Sequence, residues 1–248
     1  MLRAFFEDNP SVAVAFSGGV DSAYLLYAAA KYARRAKAYF VCSEFQPEFE
    51  AEDALRLASE LGVELEVIEL GVLSDPVIAE NPADRCYHCK KRIFSAITGR
   101  ARADGFAILL DGSNLDDDPA QRPGMRVLEE LSVRSPLREA GLSKADVRRL
   151  SREAGLFTWD KPSYSCLATR VPTGCALSAE LLGKIERGEL ALMKLGFRDF
   201  RLRWRGGGAK LELTEEQLPM AVEKRNDILA ALCGEFDEIS LDLKGRRV

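Results

Sequence analysis

The stretch Val12-Ala13-Val14-Ala15-Phe16-Ser17-Gly18-Gly19-Val20-Asp21-Ser22 decides how the rest of the chain is read. Its first five residues are an unbroken apolar run with β-branched members, the pattern of a strand buried on both faces. Next comes a glycine- and serine-containing turn, and then "SAYLLYAAAKYARR", a run rich in Ala, Leu and Tyr that predicts a helix. Two glycines let the backbone turn tightly and approach a ligand without a Cβ in the way. The amides there, with the Ser17 and Ser22 hydroxyls, face the positive end of the helix, which suits a phosphate or pyrophosphate. Asp21 would repel a bare phosphate, so it calls for a bridging Mg²⁺. The plainer alternative is an ordinary strand-to-helix turn. The spacing is neither G-x-x-x-x-G-K-[ST] nor G-x-G-x-x-G, which excludes the common ATPase and dinucleotide loops.

The same unit recurs. Strands "AKAYFVC", "VELEVIEL" and "FAILLDG" alternate with helices "EFEAEDALRLASELG", stopped by Gly62, and "CKKRIFSAITGRARADG". Such alternation predicts a parallel sheet with right-handed crossovers and ligands beyond the carboxyl ends of its strands. Three segments fall at that edge: Ser17 to Ser22, Glu44, and Asp111 to Asn114, the last containing Gly112. After the polar loop "NLDDDPAQRPG", Ser143-Lys144-Ala145-Asp146 has the spacing of a capping box. The Pro/Gly-containing "TWDKPSYSCLATRVPTGC" reads as irregular chain. A helix from Ser178 to Leu195 follows, then strands "FRLRW" and "AKLELT" around Gly206-Gly207-Gly208, a helix capped by Thr214 to Gln217, and strand "EISLDL". The expected fold is α/β, with a parallel-sheet domain over 1–174 and a small α+β domain over 175–248.

Composition narrows the function classes. A hydrophobic fraction of 47% with 30% charged residues is ordinary for a globular protein of 248 residues. The net charge of -4 gives no general electrostatic reason to bind nucleic acid. The N-terminus "MLRAFFEDNP" lacks an apolar signal core, and no apolar run approaches the roughly 18 residues of a membrane span. Six cysteines are too sparse for a disulfide framework, so a cytoplasmic chain with reduced thiols is expected.

"AFSGGVDS" matches the S-G-G-x-D-S signature of the PP-loop ATP pyrophosphatases, the adenine nucleotide alpha hydrolase-like group. The resemblance implies cleavage of ATP between its α and β phosphates and adenylation of a substrate. Ser17, Gly18, Gly19, Asp21 and Ser22 would hold ATP with Mg²⁺, and Glu44, Gly112 and Asn114 border the same edge. The adenylate is an activated carbonyl that awaits a nucleophile. An amide-forming synthetase often carries a glutaminase with a Cys and a His. This chain has a single histidine, His88, and no room for such a domain. Free ammonia stays open as a nitrogen nucleophile but would leave the cysteines without a role; sulfur is the other candidate. Cys166 sits in "PSYSCLATR" with Lys161 before it and Arg170 after it, and nearby cations favour a thiolate. The alternative at that position is a small buried hydrophobe.

Further motifs extend the resemblance over nearly the whole chain. "NPADRCYHCKKRIF", "LLDGSNLDDD", "RPGMRVLEEL", "RSPLREAGLSKADVR", "TWDKPSYSCLATRVPTG", "FRLRW", "AKLEL" and "ISLDLKGRR" are similar to stretches of the LarE family of ATP-dependent sulfur transferases. The family builds the nickel-pincer nucleotide cofactor, adenylating a carboxylate of pyridinium-3,5-biscarboxylic acid mononucleotide and replacing oxygen with sulfur. In one branch a cysteine at the position of Cys166 gives up its own sulfur. In another, three cysteines hold a [4Fe-4S] cluster, and those positions fall on Cys86, Cys89 and Cys166. Three thiolates leave one iron of a cubane open for a transferable sulfide, which favours the second branch. A zinc site would need His88 as a fourth ligand, although His88 adjoins Cys89 and is poorly placed to join it.

The implied substrate is an anionic small-molecule nucleotide. Arg201 and Arg203 alternate along one strand and share a face, and residues 178–210 hold eight basic residues against four acidic ones. On charge alone, a solvated strand face is the favoured explanation of the pattern. The resemblance raises Arg201, Arg203, Arg170 and Glu189 to substrate-site residues. A homo-oligomer with no nucleic-acid or membrane partner is expected. Where the family usually continues with a His-Gly-Asp-like turn, this chain has Arg205-Gly206-Gly207-Gly208. A tRNA thiolase shares the PP-loop and cysteines and is the competing enzyme. A nucleotide-binding scaffold with an inactive loop is the competing non-enzyme, against which the intact Ser17, Asp21 and Ser22 argue.

Overall fold

The computed structural model describes residues 2–118 and 123–246. The middle of the 114–124 loop, with Arg122 of "RPGMRVLEEL" and Arg247 of "ISLDLKGRR", lies outside the described residues. Along the chain run α1 (Leu2–Asp8), β1 (Ser11–Ala15), α2 (Val20–Tyr32), β2 (Arg35–Cys42), α3 (Glu48–Leu61), β3 (Glu64–Glu69), α4 (Pro76–Ala79), α5 (Arg85–Ala103) and β4 (Leu109–Leu110). They are followed by α6 (Arg126–Glu130), α7 (Pro136–Glu139), α8 (Lys144–Glu153), α9 (Ala179–Lys194), β5 (Arg201–Arg205), β6 (Gly208–Glu212), α10 (Leu218–Glu223), α11 (Arg225–Leu232) and β7 (Ile239–Leu241). The fold is the expected α/β arrangement with a separate small mixed sheet. Two compact units result, one from Met1–Val72 with Asp84–Lys161 and the other from Leu73–Ala83 with Pro162–Val248.

The first unit is a parallel sheet in the order β3-β2-β1-β4. Val12, Ala13 and Val14 are fully buried because both faces of β1 are covered. Alternation along the strands divides them between two cores. Val12, Val14 and Phe40 pack with Leu25, Leu26, Leu57 and Val147 of α2, α3 and α8. Ala13, Tyr39 and Val41 pack with Phe94, Ile97, Val127 and Leu128 of α5 and α6. Each such buried Val, Leu, Ile or Phe side chain contributes about 1.5–3 kcal/mol. The chain moves outward from β1 to β2 to β3, then returns to the other side of β1 with β4. The strand order therefore switches at the carboxyl end of β1, where ligands of open α/β sheets bind. α3 ends where Gly62 adopts a left-handed φ of 64°, and the Ser143–Asp146 capping box opens α8 as its spacing predicts.

Three readings change in detail. "FAILLDG" yields only two residues of strand, Leu109 and Leu110. The helix expected from Cys89 begins at Arg85, which takes both members of the C-x-x-C into its first five residues. Thr214 does not cap a backbone amide by its side chain; its hydroxyl accepts from Gln217 Nε2, and a 3₁₀ turn over Glu215–Gln217 precedes α10.

The second unit is a three-stranded sheet in which β5 and β6 form an antiparallel hairpin and β7 adds parallel to β6. Arg205 pairs with Gly208 across a two-residue loop whose residues, Gly206 and Gly207, both have positive φ (56° and 102°). That is the requirement of a hairpin turn matched to strand twist, and it accounts physically for the glycine run. α9 packs on the sheet through Leu182, Ile185 and Leu192, and Gly188 permits close approach, since a Cβ there would lie 2.5 Å from Leu202 Cδ2. The 73–83 segment joins this unit through Asn81, whose Nδ2 donates to the Pro172 and Cys175 carbonyls. The Gly174 amide donates back to the Asn81 carbonyl. The compact boundary thus falls after Lys161, ahead of the expected 174/175 division.

Candidate active site

At the carboxyl end of β1, Gly18 takes φ 74°, and a Cβ on it would sit 3.2 Å from the Glu50 carbonyl oxygen. Gly19 occupies the N-cap of α2, so no side chain caps the first amides of that helix. Those amides are the orphan donors on which anion sites are built. The Ser17 and Ser22 hydroxyls share a hydrogen bond of 3.1 Å, and Ser22 also accepts from the Ser17 amide and donates to the Gly19 carbonyl.

The loop after β4 closes on the same point. A Cβ at Gly112 would meet the Ser22 amide nitrogen at 2.8 Å, so only glycine lets this loop pass. Asn114 Nδ2 donates to Asp21 Oδ1 at 3.2 Å, and Lys144 Nζ donates to Asp21 Oδ2 at 2.5 Å. Asp111 accepts from Ser113 and Ser135, which stiffens the loop. Lys161 Nζ bridges Asp53 (2.6 Å) and the Gly18 carbonyl (3.3 Å). Glu44 serves the neighbouring turn, its Oε2 accepting from the Val72 amide at 2.9 Å. An apolar cavity of about 120 Å³ opens beside Ser17, walled by Phe16, Phe40, Ile93, Phe94 and Ile97 with Gln46 and Glu50 at its polar side. Its flat aromatic walls suit a nucleobase.

One carboxylate beside hydroxyls and helix amides fits Mg²⁺, which takes few protein ligands and completes its shell with phosphates and water.

Cys86 and Cys89 stand three apart near the start of α5, hence on one face. Cys86 is exposed and Cys89 half-buried, and Arg85 Nη2 lies 3.6 Å from Cys86 Sγ. His88 turns to Asp84 at 3.2 Å, which leaves the zinc reading without its fourth ligand. None of the six cysteines is in a disulfide. Two thiols on one helical face fit two corners of a cubane cluster. Among the described residues, no three His, Cys, Asp or Glu side chains form a group that could hold a metal ion.

In the second unit, Cys166 caps a short 3₁₀ turn over Leu167–Arg170. Arg170 is wholly buried and forms a two-pronged pair with Glu189, Nε to Oε1 at 2.8 Å and Nη2 to Oε2 at 3.0 Å. Burial works against the Arg170 charge, but Glu189, Tyr164 and Cys166 outweigh it and hold the guanidinium above its ordinary pKa. Arg201 and Arg203 lie in β5 at alternate positions, as predicted. Arg201 donates to the Phe200 and Ser163 carbonyls, with Asp199 at 3.8 Å. Burial, then the nearby Arg170 and Arg246, push its pKa down to about 10, which marks a cation short of negative charge. Arg203 pairs with Glu212 at 2.7 Å and donates to the Thr169 carbonyl.

The structure thus gathers Ser17, Gly18, Gly19, Asp21, Ser22, Gly112 and Asn114 in the first unit, and Cys166, Arg170, Glu189, Arg201 and Arg203 in the second. Sequence reasoning passed over Lys144 and attached Lys161 to Cys166 instead of the glycine loop. One signal for Lys144 was legible: a lysine at the first position of a helix opposes the dipole and needs another partner.

Comparison with known proteins agrees with this geometry. The asparagine synthase family model matches residues 4–88. The chain is 34% identical over 251 residues to pyridinium-3,5-bisthiocarboxylic acid mononucleotide synthase of Lactiplantibacillus plantarum, covering 99% of this chain and 90% of that protein. It is 34% identical over 250 residues to the uncharacterized protein slr1717 of Synechocystis sp., covering 98% and 92%. The uncharacterized protein MJ0830 of Methanocaldococcus jannaschii is 28% identical over 221 residues, covering 89% and 84%. With 34% identity to that synthase over 99% of its own length, the chain belongs to the LarE family of ATP-dependent sulfurtransferases.

Proposed function

We propose that the enzyme adenylates a carboxylate of pyridinium-3,5-biscarboxylic acid mononucleotide and replaces an oxygen of that carboxylate with sulfur. The full-length similarity to a synthase of the corresponding bisthiocarboxylic acid carries this reading. A substrate carboxylate oxygen attacks the α-phosphorus of ATP, the α–β bridging P–O bond breaks, and pyrophosphate leaves. The amides at the start of α2, with Ser17 and Ser22, receive the leaving pyrophosphate, and the apolar cavity beside Ser17 takes the adenine. Mg²⁺ held by Asp21 would supply charge neutralisation between the phosphates. Oriented donors of this kind are worth about 10²–10³ in rate each.

The acyl-adenylate carbonyl is then open to sulfur, and AMP departs with the carboxylate oxygen. Arg201, short of negative charge, and Arg203 hold the anionic groups of the substrate. Cys166 is the residue of sulfur delivery. In the finer form of the proposal, Cys86, Cys89 and Cys166 hold a [4Fe-4S] cluster, which when bound supplies an inorganic sulfide at its open iron. The C-x-x-C face of α5 supports that form. The same reading makes the enzyme a homo-oligomer acting on a small nucleotide.

Anaerobic reconstitution with iron and sulfide tests the cluster: about four irons per chain are expected, lost in Cys86→Ala or Cys89→Ala. Full iron content in those variants would sink it. After turnover, an intact Cys166 mass supports delivery from the cluster. Loss of the elements of H₂S from Cys166 makes that residue the donor itself.

A further inference from the structure

Arg170 and Glu189 carry charge at a sulfurtransferase site, yet their surroundings leave no side for a substrate. Arg170 is 0% exposed and Glu189 1% exposed. Every nitrogen of the guanidinium has an acceptor. Beyond the two bonds to Glu189, Nη1 donates to the Ser165 carbonyl and hydroxyl, both at 2.8 Å, and to Thr169 Oγ1 at 3.0 Å. Glu189 is equally committed, since its Oε1 also accepts from the Leu202 amide of β5 at 2.9 Å and its Oε2 from the Tyr164 hydroxyl. The Tyr164 ring lies against the guanidinium, 4.6 Å from centroid to Cζ.

All of these contacts converge on one short segment. Thr169 reaches the Cys166 carbonyl twice, by Oγ1 at 2.7 Å and by its amide at 3.0 Å. Tyr164 stands two residues before Cys166 and Arg170 four after, and both are anchored on the same carboxylate. A buried ion pair of this type adds little net stability over apolar packing.

We propose that Tyr164, Thr169, Arg170 and Glu189 form a clamp that sets the backbone around Cys166, acting as positioning residues and making no contact with substrate. This rests on Cys166 being the residue of sulfur delivery. It reassigns Arg170 and Glu189, and leaves Arg201 and Arg203 as the substrate cations. A sulfur held by such a clamp is delivered to one place, and delivery within about 0.5 Å is what group transfer demands.

The test uses the full-length, reduced, iron-free chain and mild variants, because Glu189→Ala removes a partner of a buried charge and is prone to misfold. Thr169→Val and Tyr164→Phe keep shape and remove one hydroxyl each, while Thr169→Ser restores one. Amide hydrogen exchange over 165–171 and the alkylation rate of Cys166, referenced to exposed Cys233 in the same sample, report the clamp without any substrate. Exchange should quicken by tenfold or more and the alkylation rate should change by at least threefold in Thr169→Val and Tyr164→Phe, with Thr169→Ser near wild type. After anaerobic reconstitution with iron and sulfide, and with Mg-ATP, sulfide and pyridinium-3,5-biscarboxylic acid mononucleotide, the two variants should lose sulfur product by tenfold or more while KM for the mononucleotide stays within twofold. Unchanged exchange and alkylation, or a tenfold rise in KM with the yield at saturation intact, overturns the clamp. If the reconstituted wild-type chain makes no sulfur product from this substrate, the functional reading fails, and exchange and alkylation on the iron-free chain still decide the clamp.

Discussion

Asp21 and Glu189 are both carboxylates gripped by a cation, but the two regions they anchor handle charge in opposite ways. Lys144 and Asp21 retain side-chain exposures of 31% and 22%, and their pairing stands over a loop of helix amides. An exposed pair is worth about 0–1 kcal/mol, so phosphate and Mg²⁺ can replace it at little cost. Arg170 and Glu189 are sealed at 0% and 1%, and removing one partner of such a pair costs about 3–5 kcal/mol. The glycine loop is therefore built to exchange partners, and the Cys166 segment to keep them.

The largest expected effect separates the two regions outright. Cys166→Ser should reduce sulfur transfer to background while pyrophosphate release in the presence of substrate persists. Asp21→Asn should lower pyrophosphate release by about 10²-fold. A Cys166→Ser enzyme that also stops releasing pyrophosphate would join what the account keeps apart. Next in size is stability. Glu189→Ala should lose about 3–5 kcal/mol in urea unfolding, against no more than about 1 kcal/mol for Lys144→Met. Lys144→Met should instead raise KM for ATP several-fold. Equal losses in the two variants would remove the distinction.

How much of this could be read from the chain differs by region for a physical reason. Strand, turn and helix start all lie within Val12 to Ser22, so the loop and its parallel sheet were legible from consecutive residues. Lys144 on Asp21 and Lys161 on Gly18 join residues more than a hundred positions apart, and no local pattern encodes them. Glu189 was readable in principle. Leu182, Ile185, Glu189 and Leu192 fall at helical spacing on one buried stripe, and a carboxylate there requires a buried cation. The assignment of 73–83 to the second unit was not readable, because Asn81 makes it through two carbonyls some ninety residues away.

Smaller effects refine the picture of the first unit. Gly112→Ala should cut adenylation because its Cβ would press on the Ser22 amide at 2.8 Å, with little change in unfolding of the second unit. Normal pyrophosphate release in that variant would show that the two loops have room to part.

At the other end of the sheet, Lys37 and Tyr39 hold the Asp104 carboxyl below its usual range, and Lys37 and Arg100 do the same for Glu66. A depressed carboxylate stabilises above its unfolded pKa of about 4, and that contribution is lost as pH falls through the folded value. The melting temperature should therefore drop between about pH 5 and pH 3, and Lys37→Met should flatten that slope. An unchanged slope in the variant would place the acid sensitivity elsewhere.

The central claim is that this chain activates a carboxylate with ATP in order to put sulfur on it. Mass analysis of pyridinium-3,5-biscarboxylic acid mononucleotide after incubation with the reconstituted enzyme, Mg-ATP and sulfide addresses it directly. The account predicts a product in which sulfur has replaced a carboxylate oxygen, formed with one AMP and one pyrophosphate per sulfur. Recovery of unmodified mononucleotide, with no pyrophosphate beyond that released without it, would contradict the account.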